Sequence, residues 1–356
     1  MNERNRELEE ILAYVAPGTK IRVGIDNILD AKTGGLLVIG DDEDIMKLVD
    51  GGFYINCEYD SQKIYELSKM DGAIILNDDS KNILYANVQL QPDSKISTIE
   101  SGTRHRTAER VAKQTGKLII AISERRNRIT LYKNNIRYIV RNISDIISQA
   151  NQAIKTLERY REVLDKALTN LTIMEYDDLV TLYEVSAILQ RFEFMSRIAS
   201  DLEMYIIELG SEGRLIKMQL EEIMMDLQGE ILDLVNDYYN REKEALSPNA
   251  VLKQISKLSQ EELLELENLA FVLGYKKRYA TLDTKIVPKG YRILGKIVRL
   301  TNKDVKIIVE SFDGLTAILE ASEDELAEVD NISRFKARTI KNGIRRLRFT
   351  AQLEKS

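Results

Sequence analysis

Ser101-Gly102-Thr103-Arg104-His105-Arg106-Thr107-Ala108-Glu109-Arg110 ends a polar loop and opens a helix, and the apolar run Leu118-Ile119-Ile120-Ala121-Ile122 follows just after Gly116. Helical spacing over 107–114, a glycine at a C′ position and a short apolar run predict helix, stop and buried strand in succession. The stretches 36–40, 73–77 and 83–88 are likewise short, apolar and bounded by Gly, Asp or Asn. Continuous apolar runs of this length suit strands covered on both faces. With a further helical stretch over 61–69, they predict an α/β N-terminal domain, a mixed sheet flanked by helices, over residues 1–140.

From Arg141 the pattern changes. Ile143, Ile146, Ile147, Ala150, Ile154, Leu157, Val163, Leu164, Leu168 and Leu171 recur at spacings of three and four, and the pattern resumes over 179–209 and 215–239. No proline occurs between Arg141 and Pro248. Striped helices of this kind predict an all-α spine over 141–247, either packed on itself or covered by another subunit. Residues 248–356 predict a third, all-α domain of short helices. Its Ser259–Glu262 and Ser322–Glu325 pairs have the spacing of capping boxes, and 259–273 reads as one helix.

The 356 residues carry a net charge of −6, so a nucleic-acid contact would need a local basic patch. The tail supplies one: Arg334, Lys336, Arg338, Lys341, Arg345, Arg346 and Arg348 have no acid among them. They form either a phosphate-backbone footprint or a solvated helix face. The single cysteine, Cys57, excludes an intrachain disulfide framework and reads as a small buried hydrophobe. The polar N-terminus and the lack of an apolar run of about 18–20 residues predict a cytoplasmic protein with no membrane partner.

Two constellations carry chemistry. A helix N-terminus with Arg104, Arg106, His105, Thr103 and Thr107 concentrates groups that bind polyphosphate, although arginines at helix starts also serve in structural ion pairs. Asp71-Gly72-Ala73 leads into the run Ile74-Ile75-Leu76. Asp71 is either a turn residue or a ligand for Mg2+ or Mn2+, and Gly72 would admit close backbone approach by a nucleotide. The chain lacks a P-loop and a Gly-x-Gly-x-x-Gly fingerprint, which argues against ordinary P-loop ATPases and Rossmann dehydrogenases.

Tyr65-Glu66-Leu67-Ser68-Lys69-Met70-Asp71-Gly72-Ala73-Ile74, followed by Gly102-Thr103-Arg104-His105-Arg106-Thr107-Ala108-Glu109-Arg110, closely resembles the paired DGA and RHR motifs of diadenylate cyclases. Glu208-Leu209-Gly210-Ser211-Glu212-Gly213-Arg214-Leu215 and the tail fit a member of that family with a helical spine and a helix-hairpin-helix region. The resemblance implies condensation of two ATP into cyclic di-AMP plus two pyrophosphates, across a contact between subunits of a homo-octamer. It assigns Asp71 to the metal and to the 3′-hydroxyl, with Asp71, Arg104 and Arg106 as the catalytic set. It assigns Gly72, Leu90, Thr103, Arg104, His105, Arg106, Thr107 and Ser123 to ATP, with Leu90 near the adenine. It also implies DNA binding through Arg334, Lys336, Arg338, Lys341, Arg345 and Arg346, which would modulate activity.

The tail departs from the family pattern, because Asn331-Ile332-Ser333 stands where a glycine-containing hairpin is expected. Asn tolerates a positive φ better than most residues, while Asp330 beside it would repel phosphate. Because the basic helix Arg334–Arg348 is intact, backbone binding of DNA is expected to persist weakly, without tight recognition of branched DNA. The competing reading is a DNA-binding checkpoint scaffold whose cyclase domain only senses ATP.

Overall fold

The computed structural model describes residues 3–240, 246–275 and 282–355. Its first elements are α1 (Glu3–Tyr14), α2 (Lys20–Asp30), β1 (Gly35–Ile39), α3 (Glu43–Met46), β2 (Val49–Asp50), β3 (Phe53–Glu58), α4 (Ser61–Ser68), β4 (Ala73–Leu76) and β5 (Asn82–Leu90). Next come α5 (Thr103–Thr115), β6 (Leu118–Ser123), β7 (Arg128–Lys133) and β8 (Ile136–Ile139). The eight strands form one sheet in the order β2-β5-β4-β1-β6-β7-β8, with β3 also paired to β5. Only β1 and β4 run parallel; the other pairs are antiparallel. The sheet is mixed, as the sequence predicts.

Alternation across the central strands explains their unbroken apolar runs. Leu37, Ile39, Ile74, Leu76, Ile120 and Ile122 enter one core with Ile11 and Leu12 of α1, Ile25 and Ile28 of α2 and Ile64 of α4. Leu36, Val38, Ala73, Ile75, Ile119 and Ala121 enter a second core, shared with Ala108, Val111 and Ala112 of α5. Each strand residue is thus buried on one face or the other, and each large aliphatic side chain contributes about 1.5–3 kcal/mol. Cys57 is a free, half-buried thiol packed against the first core.

The helical part begins with α6 (Ile143–Tyr176) and α7 (Leu182–Leu209), then a 3₁₀ turn at Gly210–Gly213, α8 (Arg214–Met224) and α9 (Leu227–Tyr238). It continues with α10 (Pro248–Ile255), α11 (Gln260–Leu264), α12 (Leu266–Val272), α13 (Tyr291–Gly295), α14 (Asn302–Ser311), α15 (Gly314–Glu320), α16 (Glu323–Ala327) and α17 (Arg334–Lys355). Two stretches that read as single helices are broken. Over 215–239 the chain turns at Asp226 (φ +60°), where Arg161 donates to the freed carbonyls of Ile223 and Met225. Over 259–273 it breaks at Glu265, where Asn268 donates to Glu262 O at 2.8 Å and Gln190 donates to Leu263 O. In both cases side chains supply the bonds that the helix gives up. Both capping boxes form.

Contacts group these residues into two compact units, whereas the sequence suggests three domains. The first holds residues 1–152 with 202–218, the second 153–201 with 219–356. Within the first, Glu208 at the end of α7 accepts from Tyr138 Oη at 2.8 Å, Arg141 N at 3.1 Å and Arg141 Nε at 3.0 Å. That buried carboxylate is why the end of α7 belongs with the sheet.

The second unit is organised around Arg292. Its fully buried guanidinium donates to the equally buried Glu175, to Thr172 at 2.7 Å and to Glu230 at 3.1 Å. Asp237 accepts from the backbone N–H groups of Gly290, Tyr291 and Arg292 and so caps α13. Removing one partner of a buried ion pair strands the other charge, at about 3–5 kcal/mol. Arg292→Met is therefore expected to lower the urea midpoint of unfolding by that much stability, followed by circular dichroism; an unchanged midpoint would contradict the network.

Candidate active site

The site is built from the start of α5 upward. Gly102 is the N-cap (φ −83°, ψ 142°), and no side chain caps the first turn. The leading amides of the helix lack a side-chain acceptor and carry the positive end of its dipole, the arrangement that receives anions. Ala108, Val111 and Ala112 hold the helix flat on the sheet. Glu109 is buried and accepts from Ile99 N at 3.2 Å and Thr98 Oγ1 at 2.5 Å; Arg110 Nε donates to Ile96 O at 2.9 Å. These bonds pin the preceding loop and set the position of Glu100.

Thr103, Arg104, His105 and Ser123 line a cavity of about 310 Å³ together with Glu100 and Arg126. Arg104 Nη1 donates to Ile122 O at 3.4 Å, and Ser123 Oγ accepts from Arg126 N at 3.3 Å. His105 Nδ1 lies 2.9 Å from Tyr132 Oη, which donates to Glu100 at 2.8 Å; Arg137 Nε donates to the same carboxylate oxygen at 2.6 Å. Burial opposes the charge on Glu100, but the bonds from Arg137 and Tyr132 outweigh it and hold the carboxyl below its ordinary pKa. His105 is also held low, by burial first and then, against the pull of Glu100, by the cations of Arg128, Arg104 and Arg126. The imidazole is therefore neutral at physiological pH.

Asp71, Gly72, Leu90, Arg106 and Thr107 do not line that cavity. The strand registers nevertheless put Asp71 at the same edge of the sheet. β1 and β4 run parallel from Leu37↔Ile74, and Gly35↔Ile122 ends β6 beside the start of β1. Asp71 and Ser123 thus stand at the ends of strands two spacings apart, roughly 10 Å. Asp71 is exposed and makes no side-chain hydrogen bond or ion pair among the described residues. A single free carboxylate beside a phosphate cradle fits Mg2+, which takes one or two carboxylates and completes its shell with phosphate oxygens and water. No group of three or more His, Cys, Asp or Glu side chains forms a closed cation cage among the described residues.

The other residues fall close by. Gly72 has φ +94°, and a Cβ there would lie 2.6 Å from Val88 O. Its glycine is demanded by β5 as well as by any ligand. Leu90 ends β5, half-buried and paired with Val49. Arg106 is exposed, with no side-chain partner among the described residues, and Thr107 is half-buried in the second turn of α5.

Sequence reasoning missed several contributors. Gly34 has φ +69°, and a Cβ there would collide with Arg104 Nη1. The glycine pair before the first apolar run was the available signal. Arg125, Arg126 and Arg128 crowd the β6–β7 hairpin, a concentration also visible in the sequence. Glu100 and Tyr132 carry no local signal, since only the fold brings a loop and an interior strand position to His105.

In the tail, the turn at 331–333 contains no glycine. Asn331 adopts φ +66°, Ile332 is buried, and Ser333 Oγ accepts from Lys336 N at 3.3 Å. Three of the six DNA candidates have partners: Lys336 pairs with Asp304 at 2.6 Å, Lys341 donates to Leu319 O at 2.9 Å and to Ala321 O, and Arg334 lies 3.7 Å from Asp324 in a solvent-exposed pair. Arg334, Arg338, Arg345 and Arg346 are exposed. At 100° per residue, Arg334, Arg338 and Arg345 share one face of α17. A separate groove nearby is acidic, lined by Glu320, Glu325, Glu328 and Asp330.

Residues 22–136 match the family model described as DisA bacterial checkpoint controller nucleotide-binding, and residues 140–282 match the DisA bacterial checkpoint controller linker region. A nucleotide-binding diadenylate cyclase domain followed by a helical linker is thus the class that fold and site define. The chain belongs to the DisA family. It is 51% identical over 351 residues to the DNA integrity scanning protein DisA of Clostridium perfringens (strain SM101), covering 98% of each chain. The protein of the same name from Clostridium botulinum (strain Loch Maree) is 50% identical over 353 residues, with 99% of each chain covered. Among solved structures, a double mutant of DacA from Staphylococcus aureus aligns with TM-score 0.30 and 17% identity, over 38% of this chain and 90% of that one.

Gly34→Ala is expected to displace Arg104 and to raise the KM for ATP by about tenfold, the effect of one charge-assisted contact. Steady-state kinetics beside an unchanged circular dichroism spectrum would check this; an unaltered KM would separate Arg104 from the nucleotide.

Proposed function

We propose that the chain condenses two ATP molecules into cyclic di-AMP, releasing two pyrophosphates, in a site completed by a second copy of itself. The observation that carries this is the uncapped start of α5, with its arginines, on the same sheet edge as the unpartnered carboxylate of Asp71. Charge neutralisation and positioning are what transfer at an α-phosphate demands. Thr103, Arg104, His105, Arg106, Thr107 and Ser123 hold the triphosphate, while Gly72 and Leu90 border the nucleoside. Asp71 orients the 3′-hydroxyl and would hold Mg2+ or Mn2+, which neutralises phosphate charge when bound.

Each 3′-hydroxyl attacks the α-phosphate of the other nucleotide, so two cradles must face each other. Exposed Met70, directly before Asp71, and exposed Phe53 and Tyr54 leave apolar surface uncovered in the same unit. Such surface is what a contact between copies uses. The helical stripes support a larger assembly, the octamer that the family resemblance implies. A cytoplasmic location, where ATP is abundant, belongs to the same proposal.

The tail is proposed to bind the DNA backbone through Arg334, Arg338, Arg345 and Arg346, and thereby to modulate the cyclase. Lys336 and Lys341 act instead as struts. Four phosphate contacts give a log–log salt slope of about −3.6 on duplex DNA. Arg338→Ala should flatten that slope by about one contact, whereas Lys341→Ala should lower thermal stability; the reverse pattern, read by fluorescence anisotropy and melting, would overturn the assignment.

Incubating the protein with ATP and Mg2+ or Mn2+ and resolving the products tests the cyclase directly. Cyclic di-AMP is the expected product, and its absence with ATP still bound would favour the scaffold that only senses ATP. Asp71→Asn should abolish product while oligomer size, measured by light scattering, is unchanged. A dissociated oligomer would make Asp71 a structural residue.

A further inference from the structure

His105 lines the cradle, yet one face of its ring is unexplained. Nδ1 meets Tyr132 Oη at 2.9 Å, while Nε2 is shielded from solvent and has no hydrogen-bond partner among the described residues. The proton positions follow from the donors available. Glu100 is ionised and can only accept, and it takes the one proton of Tyr132 at 2.8 Å together with Arg137 Nε at 2.6 Å. Tyr132 is buried on β7, and burial, then Glu100, push its pKa further above the ordinary phenol value, so the hydroxyl keeps its proton. With that proton committed to Glu100, Tyr132 Oη must accept from His105 Nδ1–H. A neutral imidazole protonated at Nδ1 carries a bare lone pair at Nε2.

That lone pair is the wrong partner for a phosphate oxygen, since two acceptors repel. We propose that occupation of the cradle by a triphosphate is coupled to the uptake of one proton at His105 Nε2, with Glu100 and Tyr132 as positioning residues that hold the ring for it. The inference rests on the reading of this cavity as the triphosphate site. In the free protein the groups facing the ring are Glu100 from the loop, Arg104 from α5, Arg126 and Arg128 from the β6–β7 hairpin, Tyr132 from β7 and, through Glu100, Arg137 from β8. The three arginines and burial keep the imidazole below its ordinary pKa of about 6.5. A bound triphosphate reverses the balance, because its charge favours the imidazolium. The proton comes from the solvent and returns to it when the site empties. In the loaded site Nδ1–H still donates to Tyr132, and Nε2–H, uncovered as the triphosphate displaces the side chains that shield it in the free protein, donates to a phosphate oxygen.

The sign of the linkage is fixed. The loaded site holds more protons than the free one, so affinity is greatest below the free-site pKa. It then falls as pH rises toward the pKa of the loaded site, by up to about tenfold per pH unit.

Calorimetric titration of the whole protein with 3′-deoxy-ATP, which lacks the attacking hydroxyl, in buffers of different ionisation enthalpy counts the protons taken up. Wild type is expected to show uptake approaching one proton per site near neutral pH, and His105→Gln none. Tyr132→Phe releases the tautomer and should cut the uptake while binding persists. Glu100→Gln should move the fall in affinity to lower pH. Because the chain has a single histidine, nitrogen-15 histidine spectra of the ligand-free protein by magic-angle spinning report the tautomer directly and need no variant. Zero uptake in wild type across the neutral range, or a ligand-free ring protonated at Nε2, overturns the proposal. Uptake without cyclic di-AMP formation would instead leave the proton linkage standing and reject the cyclase reading.

Discussion

An anion site made from the free amides of a helix start works only if the helix cannot move, and everything at the α5 cradle depends on that docking. Ala108, Val111 and Ala112 are fully buried against the sheet, and their small size lets the α5 backbone approach closely. Glu109 and Arg110, although inside the signature stretch, contact no ligand-facing group; they tie the 96–99 loop to the helix. The motif is therefore part chemistry and part fastening. Its first half presents charge, and its second half fixes the loop from which Glu100 reaches Tyr132.

The same division appears in the tail. A row of basic residues reads as one electrostatic feature, yet Lys336 and Lys341 spend their charge on Asp304 and on the carbonyls that end α15. The outward arginines of α17 stay exposed, Arg334 beside Asp324. At the 331–333 turn Asn331 takes the left-handed conformation, which asparagine does more readily than most other side chains.

Local sequence carried the elements whose signal is itself local. The buried strands β1, β4, β5 and β6 were legible from short apolar runs, and α5 from its helical spacing and from Gly116, which ends it in the left-handed conformation (φ +71°). Asp71 and the arginines at 104 and 106 were legible because charged residues beside an apolar run or a helix start are conspicuous. The breaks at Asp226 and Glu265 were not, since Arg161, Asn268 and Gln190 compensate them from a distance. The short edge strands β2 and β3 lacked the strong apolar pattern of the buried ones.

The amino-acid sequence by itself determined the mixed α/β class, the helical continuation, the family and the positions of the charged candidates at the start of α5 and before β4. Tertiary structure alone decided which of those charges are free, because pairing depends on neighbours distant in the chain. It also decided the state of His105. A loop glutamate, a strand tyrosine and three arginines converge on one imidazole, and only their geometry says which nitrogen holds the proton.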